Sequence, residues 1–243
     1  MPTDREEFTN LLEPILAGLD LRLSERQIVQ LATYFSLLVH WNRKINLTSV
    51  RRPKDIAVRH FEESLFLVKL LRPEAGLLVD VGSGAGFPGL PVKIACPAMQ
   101  AVLLEPTIKK FSFLKEVIHH CGLDGIEVRT ERLEEAVHGD RDDLAGRAAL
   151  VTLRAVALTP DLLADLKKLL APDGRLALFL GERDALALGK AHGTNTVPWL
   201  PVSSEMLWES PAPIPHSERR VVLLGRPKLA DGQPIARNDM ISE

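Results

Sequence analysis

Leu77–Leu90 reads LLVDVGSGAGFPGL, a solid apolar run that passes into four glycines, at 82, 84, 86 and 89. A chain that has just built a buried strand and then sheds its side chains is turning tightly for packing, or leaving main chain bare for a ligand. In an open parallel sheet the first strand-to-helix turn lies at the carboxyl edge, where ligands bind. The spacing narrows the choice. A dinucleotide loop, G-x-G-x-x-G, would need glycine at position 87, which is Phe87. The loop instead has Asp80 followed by glycines at 82, 84 and 86, which disfavours a nicotinamide dehydrogenase.

Downstream, short apolar runs alternate with helical segments. The runs are LLVDV (77–81), AVLLE (101–105), IEVRT (126–130), ALVTLRA (149–155) and RLALFL (175–180), with helices near 88–96, 107–121 and 159–170. Strand and helix repeated in this way predict right-handed crossovers and a parallel sheet covered on both faces. The strand-like stretches TVPWLPVSSEMLW and RRVVLLGR are joined by SPAPIPHSE, which has no room for a crossover helix. They predict an antiparallel hairpin at the far end of the sheet. Beyond Pro227, KLADGQPIARNDMISE is too poor in apolar residues to pack and reads as a mobile tail.

Upstream, the first 72 residues read as helical. EEFTNLLEPILAGL is a weaker helix ending near Gly18. Ser24 and Gln27 form a capping-box signature, and Ile28, Leu31, Ala32, Phe35, Leu38 and Val39 follow at helical spacing. Pro53 can start a third helix with Ala57, Phe61, Leu65, Val68 and Leu71 along one side. The expected division is 1–72 helical, 73–226 an α/β domain, and 227–243 tail.

The chain of 243 residues is long enough for one large core, and its 46% hydrophobic and 26% charged content are those of a soluble globular protein. Cys96 and Cys121 sit in apolar helical contexts without metal-ligand spacing, which fits reduced thiols in a cytosol. MPTDREEF has no apolar core for a signal peptide, and no apolar run approaches the ~18 residues of a membrane span. The net charge of -2 hides a local excess. His40–His60 carries six Lys/Arg, two histidines and one acid, Asp55, while Met1–Val39 carries six acids and three Lys/Arg. Such a stripe suits a polyanion, or is a solvated loop and helix face.

The candidate site grows from the loop. An acid followed by alternating glycines, Asp80 then Gly82, Gly84 and Gly86, resembles the first motif of S-adenosylmethionine (AdoMet) dependent methyltransferases of Rossmann-like fold. Glu105, nineteen residues after Gly86, ends the next strand, where an acid can accept hydrogen bonds from ribose hydroxyls. In ERLEEA, Leu133 and Glu134 fall where that fold brackets adenine, although the same residues also make an amphipathic helical turn. The stretches HWNRKINLTSV, RHFEESL, DVGSGAGFPGL, LLEPTIKKFSFL, ERLEEA and LRAVA, in this order, resemble the bacterial glucose-inhibited division protein B (RsmG) family. The resemblance covers roughly Ser24 to Leu180 and implies methylation of guanine N7 in 16S ribosomal RNA.

It further implies a mostly parallel seven-stranded sheet, with the cofactor held by Gly82, Phe87, Leu133, Glu134 and Arg154, Gly84 in the same loop and Glu105 near the ribose. Three departures stand out. The family's H-I-L-D-S-L is here His60-Phe61-Glu62-Glu63-Ser64-Leu65, S-R-A is Leu153-Arg154-Ala155, and 138–148 is longer than usual.

Guanine N7 exposes a free lone pair and needs no general base. No catalytic residue and no metal are therefore expected; the protein positions its reactants. RNA contacts are expected from Arg43, Lys44, Arg51, Arg52, Arg59, His60, Lys109 and Lys110, each of which also reads as a solvated or packed residue. Arg154 reads as a cofactor or RNA contact, or as half of an ion pair. Phe87 reads as a lid over the cofactor or a plug in the core, and Trp41 as a stacking platform or core. The expected partner is 16S rRNA or the small subunit, bound by a cytoplasmic monomer with no membrane contact. Two other readings remain. The same loop could serve a methyltransferase of small molecules or proteins, which has no use for the stripe, or an RNA-binding protein that has lost catalysis.

Overall fold

A computed structural model describes residues 4–141, 143–154, 158–181, 183, 207–208 and 212–225. Four helical segments come first: α1 (Asp4–Leu19), α2 (Glu25–Asn42), α3 (Pro53–Ile56) and α4 (Glu63–Leu71), with a π-helical stretch, Ala57–Glu62, joining the last two. The α/β part runs β1 (Gly76–Val81), α5 (Gly89–Ala95), β2 (Met99–Leu104), α6 (Ile108–His120), β3 (Ile126–Arg129), α7 (Leu133–His138), β4 (Ala148–Arg154), α8 (Pro160–Leu169) and β5 (Leu170–Gly181). Three further strands follow, β6 (Leu207–Trp208), β7 (Ala212–Pro213) and β8 (Arg219–Gly225). The strand expected over 196–208 lies outside the described residues except for its last two positions. The tail expected over 227–243 lies outside them entirely.

The sheet order is β3-β2-β1-β4-β5-β8-β6. Strands β1 to β5 pair in parallel, and β8 runs antiparallel to β5, with Phe179 opposite Val221. The two short strands β6 and β7 pair with successive stretches of β8, so the sheet is seven strands wide and mostly parallel. This is the α/β architecture expected. The chain moves outward from β1 to β3 and then returns to β4 on β1's other side. That reversal opens a crevice at the carboxyl ends of β1 and β4.

Alternation along β1 explains the layers. Val79 and Val81 belong to a core with Leu133, Ala136, Leu163 and Leu166 of α7 and α8 on one face. Leu78 joins Leu67, Val68 and Val92 of α4 and α5 on the other. The N-terminal helices cover that second face too. Phe8, Leu12, Leu31, Phe35 and Phe61 share a buried cluster with Phe113, Leu114 and Leu103. The rings of Phe8 and Phe35 stack at 4.5 Å between centroids, and Phe61 tilts against Phe8 at the same distance. Helix α2 begins where Ser24 accepts the Gln27 amide, completing the capping box, and Pro53 opens α3. The long 138–148 connection is pinned to β3: both Asp143 carboxylate oxygens accept from the Arg129 guanidinium, at 2.9 and 2.7 Å, and Leu144 is buried.

The head docks on the glycine loop through Tyr34, whose buried hydroxyl donates to the Ala85 carbonyl. Gly86 makes the docking possible. Its φ is +98°, and a Cβ there would lie 2.4 Å from Leu90 Cδ1 and 2.9 Å from the Tyr34 hydroxyl. Gly86→Ala is therefore expected to lower unfolding free energy in urea by about 2–4 kcal/mol, through overpacking plus an unfavourable left-handed φ.

Candidate cofactor and substrate cleft

The loop after β1 holds two kinds of glycine. Gly86 and Gly89 serve packing: a Cβ on Gly89 would lie 2.6 Å from both Asp80 Oδ2 and Leu103 Cδ2. Gly82 and Gly84 do not. Their φ values are +66° and +60°, and a Cβ would meet nothing within 4 Å at Gly82 and only the Gly82 carbonyl, at 3.8 Å, at Gly84. Both line a cleft of about 640 Å³ together with Ser83, Ala85, Phe87, Glu105, Thr107 and Lys110. Main chain left bare beside open space is a cradle that side chains would fill.

Asp80 holds the loop from beneath. Its buried carboxylate accepts from the Thr152 hydroxyl at 2.6 Å and the Gly89 amide at 3.2 Å, and burial pushes its pKa up to about 6. Glu105, 3% exposed, accepts from the Gly84 and Thr107 amides, both at 2.8 Å. Each carboxylate oxygen retains a further lone pair for a ribose hydroxyl. Lys110 stands 4.0 Å away.

The π-helical stretch builds the opposite wall. π turns are rare and concentrate at functional sites. Here the wide turn carries His60, with Glu63 immediately after it, and both line the cleft. Asn42 shapes the neighbouring loop, its Oδ1 accepting from the Leu47 and Thr48 amides at 3.0 Å each. Thr48 Oγ1 then lies 2.8 Å from His60 Nε2. Arg154, at the end of β4, places Nη2 2.8 Å from both the Arg59 carbonyl and His60 Nδ1. A guanidinium only donates, so His60 Nδ1 accepts and Nε2 donates to Thr48.

His60 is thus held neutral. Burial, reinforced by the Arg154 charge, pulls its pKa down to about 3. Unfolded chains protonate this imidazole below about pH 6.5 while the folded protein does not, so its contribution to stability is lost as pH falls from 6.5 toward 3. Asp80 acts in the opposite sense, favouring the folded state as pH falls from 6 toward 4, so the two partly cancel. His60→Gln is expected to remove about 2 kcal/mol of the stability difference between pH 7 and pH 5, read by urea unfolding at each pH.

The expected site residues divide. Gly82, Gly84, Phe87, Glu105 and Arg154 come together in the cleft, as do Arg59, His60 and Lys110. Leu133 and Glu134 are not among the cleft-lining residues: Leu133 is buried under α7, and Glu134 is exposed at that helix's first turn. Phe87 is no free lid. It is 5% exposed, stacks on His60 at 4.6 Å and Tyr34 at 5.1 Å, and meets Phe61 edge-on. The glycines around it gave no sign of these partners, which the N-terminal helices supply.

His60 is a buried wall and not an exposed RNA contact. Arg51 donates to the Asn42 carbonyl and the Asn46 side chain, and Arg52 pairs with Asp55 at 2.6 Å, while both arginines stay exposed. Arg43, Lys44 and Lys109 are exposed. Trp41 packs on Phe113, at 5.7 Å, as part of the core. Cys96 and Cys121 are buried free thiols.

Sequence reasoning missed Tyr34, Thr48 and the segment His216–Arg219. That segment reaches the cleft from the start of β8. Ser217 Oγ donates to Glu63 Oε1 at 2.6 Å, Arg219 Nη1 to Glu63 Oε2 at 3.1 Å, and His216 Nδ1 lies 3.0 Å from Glu62 Oε1. Adjacent acids on an apolar helix face were the available signal, since buried charges demand partners.

Residues 27–198 match the family model described as rRNA small subunit methyltransferase G. The protein named ribosomal RNA small subunit methyltransferase G of Halorhodospira halophila is 39% identical over 172 residues, 71% of this chain and 78% of its own. That of Dehalococcoides mccartyi is 43% identical over 142 residues, 58% of this chain. The match spans 60% of the length of the Dehalococcoides protein, and 58% of that of a like-named Xylella fastidiosa protein. Among solved structures, a ribosomal protein L11 methylase from Lactobacillus delbrueckii superposes with a TM-score of 0.53 at 14% identity, covering 69% of this chain and 78% of its own. A precorrin-6Y C5,15-methyltransferase from Geobacter metallireducens gives 0.50 at 12%, covering 68% and 87%. These two likenesses bear on the fold alone. Among the described residues, no helix is long and apolar enough to cross a membrane.

Proposed function

The chain belongs to the rRNA small subunit methyltransferase G family, and from that premise we propose that it transfers a methyl group from S-adenosyl-L-methionine to N7 of a guanine in 16S ribosomal RNA. One observation carries the reading: a single cleft joins bare glycine main chain and a buried acid on one wall to Arg59, Lys110 and Arg154 around it. The residues fit the donor. Gly82 and Gly84 leave room for a nucleoside against main chain, and Glu105 offers carboxylate lone pairs at the end of β2. Among the described residues the buried Arg154 Nη1 has no hydrogen-bond partner, an unmade bond that costs about 1–3 kcal/mol. Bound there, the donor's sulfonium supplies an already activated methyl group.

The protein's own work is then positioning. Guanine N7 brings its lone pair unaided, so no side chain has to remove a proton. His60, neutral and saturated by Thr48 and Arg154, is in keeping with a structural wall. Holding two reactants in line can supply up to ~7–11 kcal/mol of a barrier. The exposed Arg43, Lys44 and Lys109 and the cleft-lining Arg59 would guide RNA phosphates. On this reading the enzyme works in the cytoplasm as a monomer, on 16S rRNA or the small subunit.

Mass spectrometry of 16S rRNA digests from cells with and without this protein tests the assignment. One guanine should lack its methyl group in the deletion and regain it on complementation. Identical digests would overturn it.

A further inference from the structure

We propose that Glu63 is a positioning residue for methyl transfer: its charge holds the Arg154 and Arg219 guanidiniums together at the cleft wall, so that Arg154 stands ready for the cofactor. This deepens the methyl-donor reading and rests on it. Glu63 is 1% exposed, and its side chain lines the cleft. Its Oε2 lies 3.4 Å from Arg154 Nη2 and 3.1 Å from Arg219 Nη1, while Oε1 accepts from Ser217 Oγ at 2.6 Å. One carboxylate thus faces two cations. Arg154 is desolvated, with its side chain 9% exposed, and like charges at a buried site repel strongly unless an anion separates them.

Among the described residues, Glu63 is the one carboxylate paired with the Arg154 guanidinium, and Asp80 is a lesser influence in the same sense. His60 is neutral and its Nδ1 already accepts from Nη2, and the Arg59 carbonyl takes the second Nη2 hydrogen. Asp80 is bound to Thr152 and Gly89. Burial drags the Arg154 pKa down to about 10, with Glu63 the leading influence against it and Arg219 a further influence with it. Nη2 is thereby fixed by three partners, and among the described residues Nη1 has none. The geometry also separates two jobs within one side chain. Oε1 fastens the 216–219 segment through a neutral hydroxyl; Oε2 balances two charges.

Glu63→Gln separates the jobs, because the amide can turn its oxygen to the two guanidiniums and donate its NH2 to the Ser217 hydroxyl oxygen, which keeps the fastening while the charge is gone. Isothermal titration calorimetry with AdoMet is expected to show about tenfold weaker binding for Glu63→Gln, with circular dichroism of the folded protein. The double variant Glu63→Gln/Arg219→Gln removes the repulsion as well, and should recover affinity to within about threefold of wild type, a non-additivity that a merely structural role would not produce. Binding by Glu63→Gln within twofold of wild type overturns the proposal, as does a double variant no better than the single one. If Glu63→Gln does not fold, Arg219→Gln alone decides. Charge balance requires AdoMet affinity no weaker than wild type, whereas a role confined to fastening the segment requires weaker binding. A wild-type protein that fails to bind AdoMet strikes down the methyl-donor reading itself, and this proposal with it.

Discussion

Valine at position 84 should abolish methyl-donor binding, raising the Kd for AdoMet by at least about a hundredfold, equivalent to ~2.7 kcal/mol. Two effects add. Position 84 has φ +60°, which a β-branched residue adopts only under strain of about 1–3 kcal/mol. The added side chain meets no part of the protein nearer than the Gly82 carbonyl at 3.8 Å, so its volume falls in the open space that the ligand needs. Gly84 also donates its amide to Glu105, and moving the strained loop would disturb the acid expected to hold the ribose. Gly86→Ala works the other way, because its Cβ collides with Leu90 and Tyr34 inside the fold. The pair should therefore split cleanly. Gly84→Val loses ligand in calorimetry while melting only a few degrees lower, and Gly86→Ala melts far lower while its folded fraction still binds. If Gly84→Val bound the donor as wild type does, the donor would have to lie elsewhere.

That split between glycines was only half legible in the sequence. Spacing placed the loop at the end of the first strand, because LLVDV and the strands after it carry their burial locally, as runs of apolar residues. The antiparallel β8 was legible for a related reason: SPAPIPHSE is too short and too rich in proline for a crossover helix. What the sequence concealed were contacts between distant segments. Phe87 is covered by Tyr34, Phe61 and His60, residues from two separate helical segments, and nothing in GAGFPG foretells them. The π-helical stretch was invisible because AVRHFE has the same side chains as an α-helix, and the extra residue in the turn is a backbone choice made by tertiary packing. Glu63 could be noticed as a departure but not placed, since its partners, Arg154, Ser217 and Arg219, lie on β4 and at the start of β8.

The basic stripe was legible as charge and misleading as a contact list. Folding ties part of it down without burying it, since Arg51 and Arg52 stay exposed. Arg51 and Arg52 spend their hydrogen bonds on their own loop, and that loop carries Thr48, the partner of His60. Reversing Arg51 would thus test loop folding as much as RNA binding. The cleft joins the outward-facing charges to the site through Arg59 and Lys110. Lys110 is a poor target for reversal, because it stands 4.0 Å from Glu105 and a new acid there would disturb the cofactor wall.

Reversal of Arg43, Lys44 and Arg59 to glutamate is accordingly expected to lower methylation of 16S rRNA by at least about a hundredfold, while AdoMet affinity in calorimetry changes little. The three side chains are exposed, so the fold should tolerate the change, and the Arg59 carbonyl that receives Arg154 is main chain and survives. If each makes one phosphate contact, the slope of log affinity against log salt should become shallower by about 2, at ~0.7 per contact for a single strand. Salt dependence separates this from a general loss of activity. A cleft that bound a small molecule or a protein would lose little on reversal and show no change of slope. An unaltered methylation rate in the triple variant would remove this surface from the RNA path and move the search to the other exposed cations of the original set, Arg51, Arg52 and Lys109 at the head of α6.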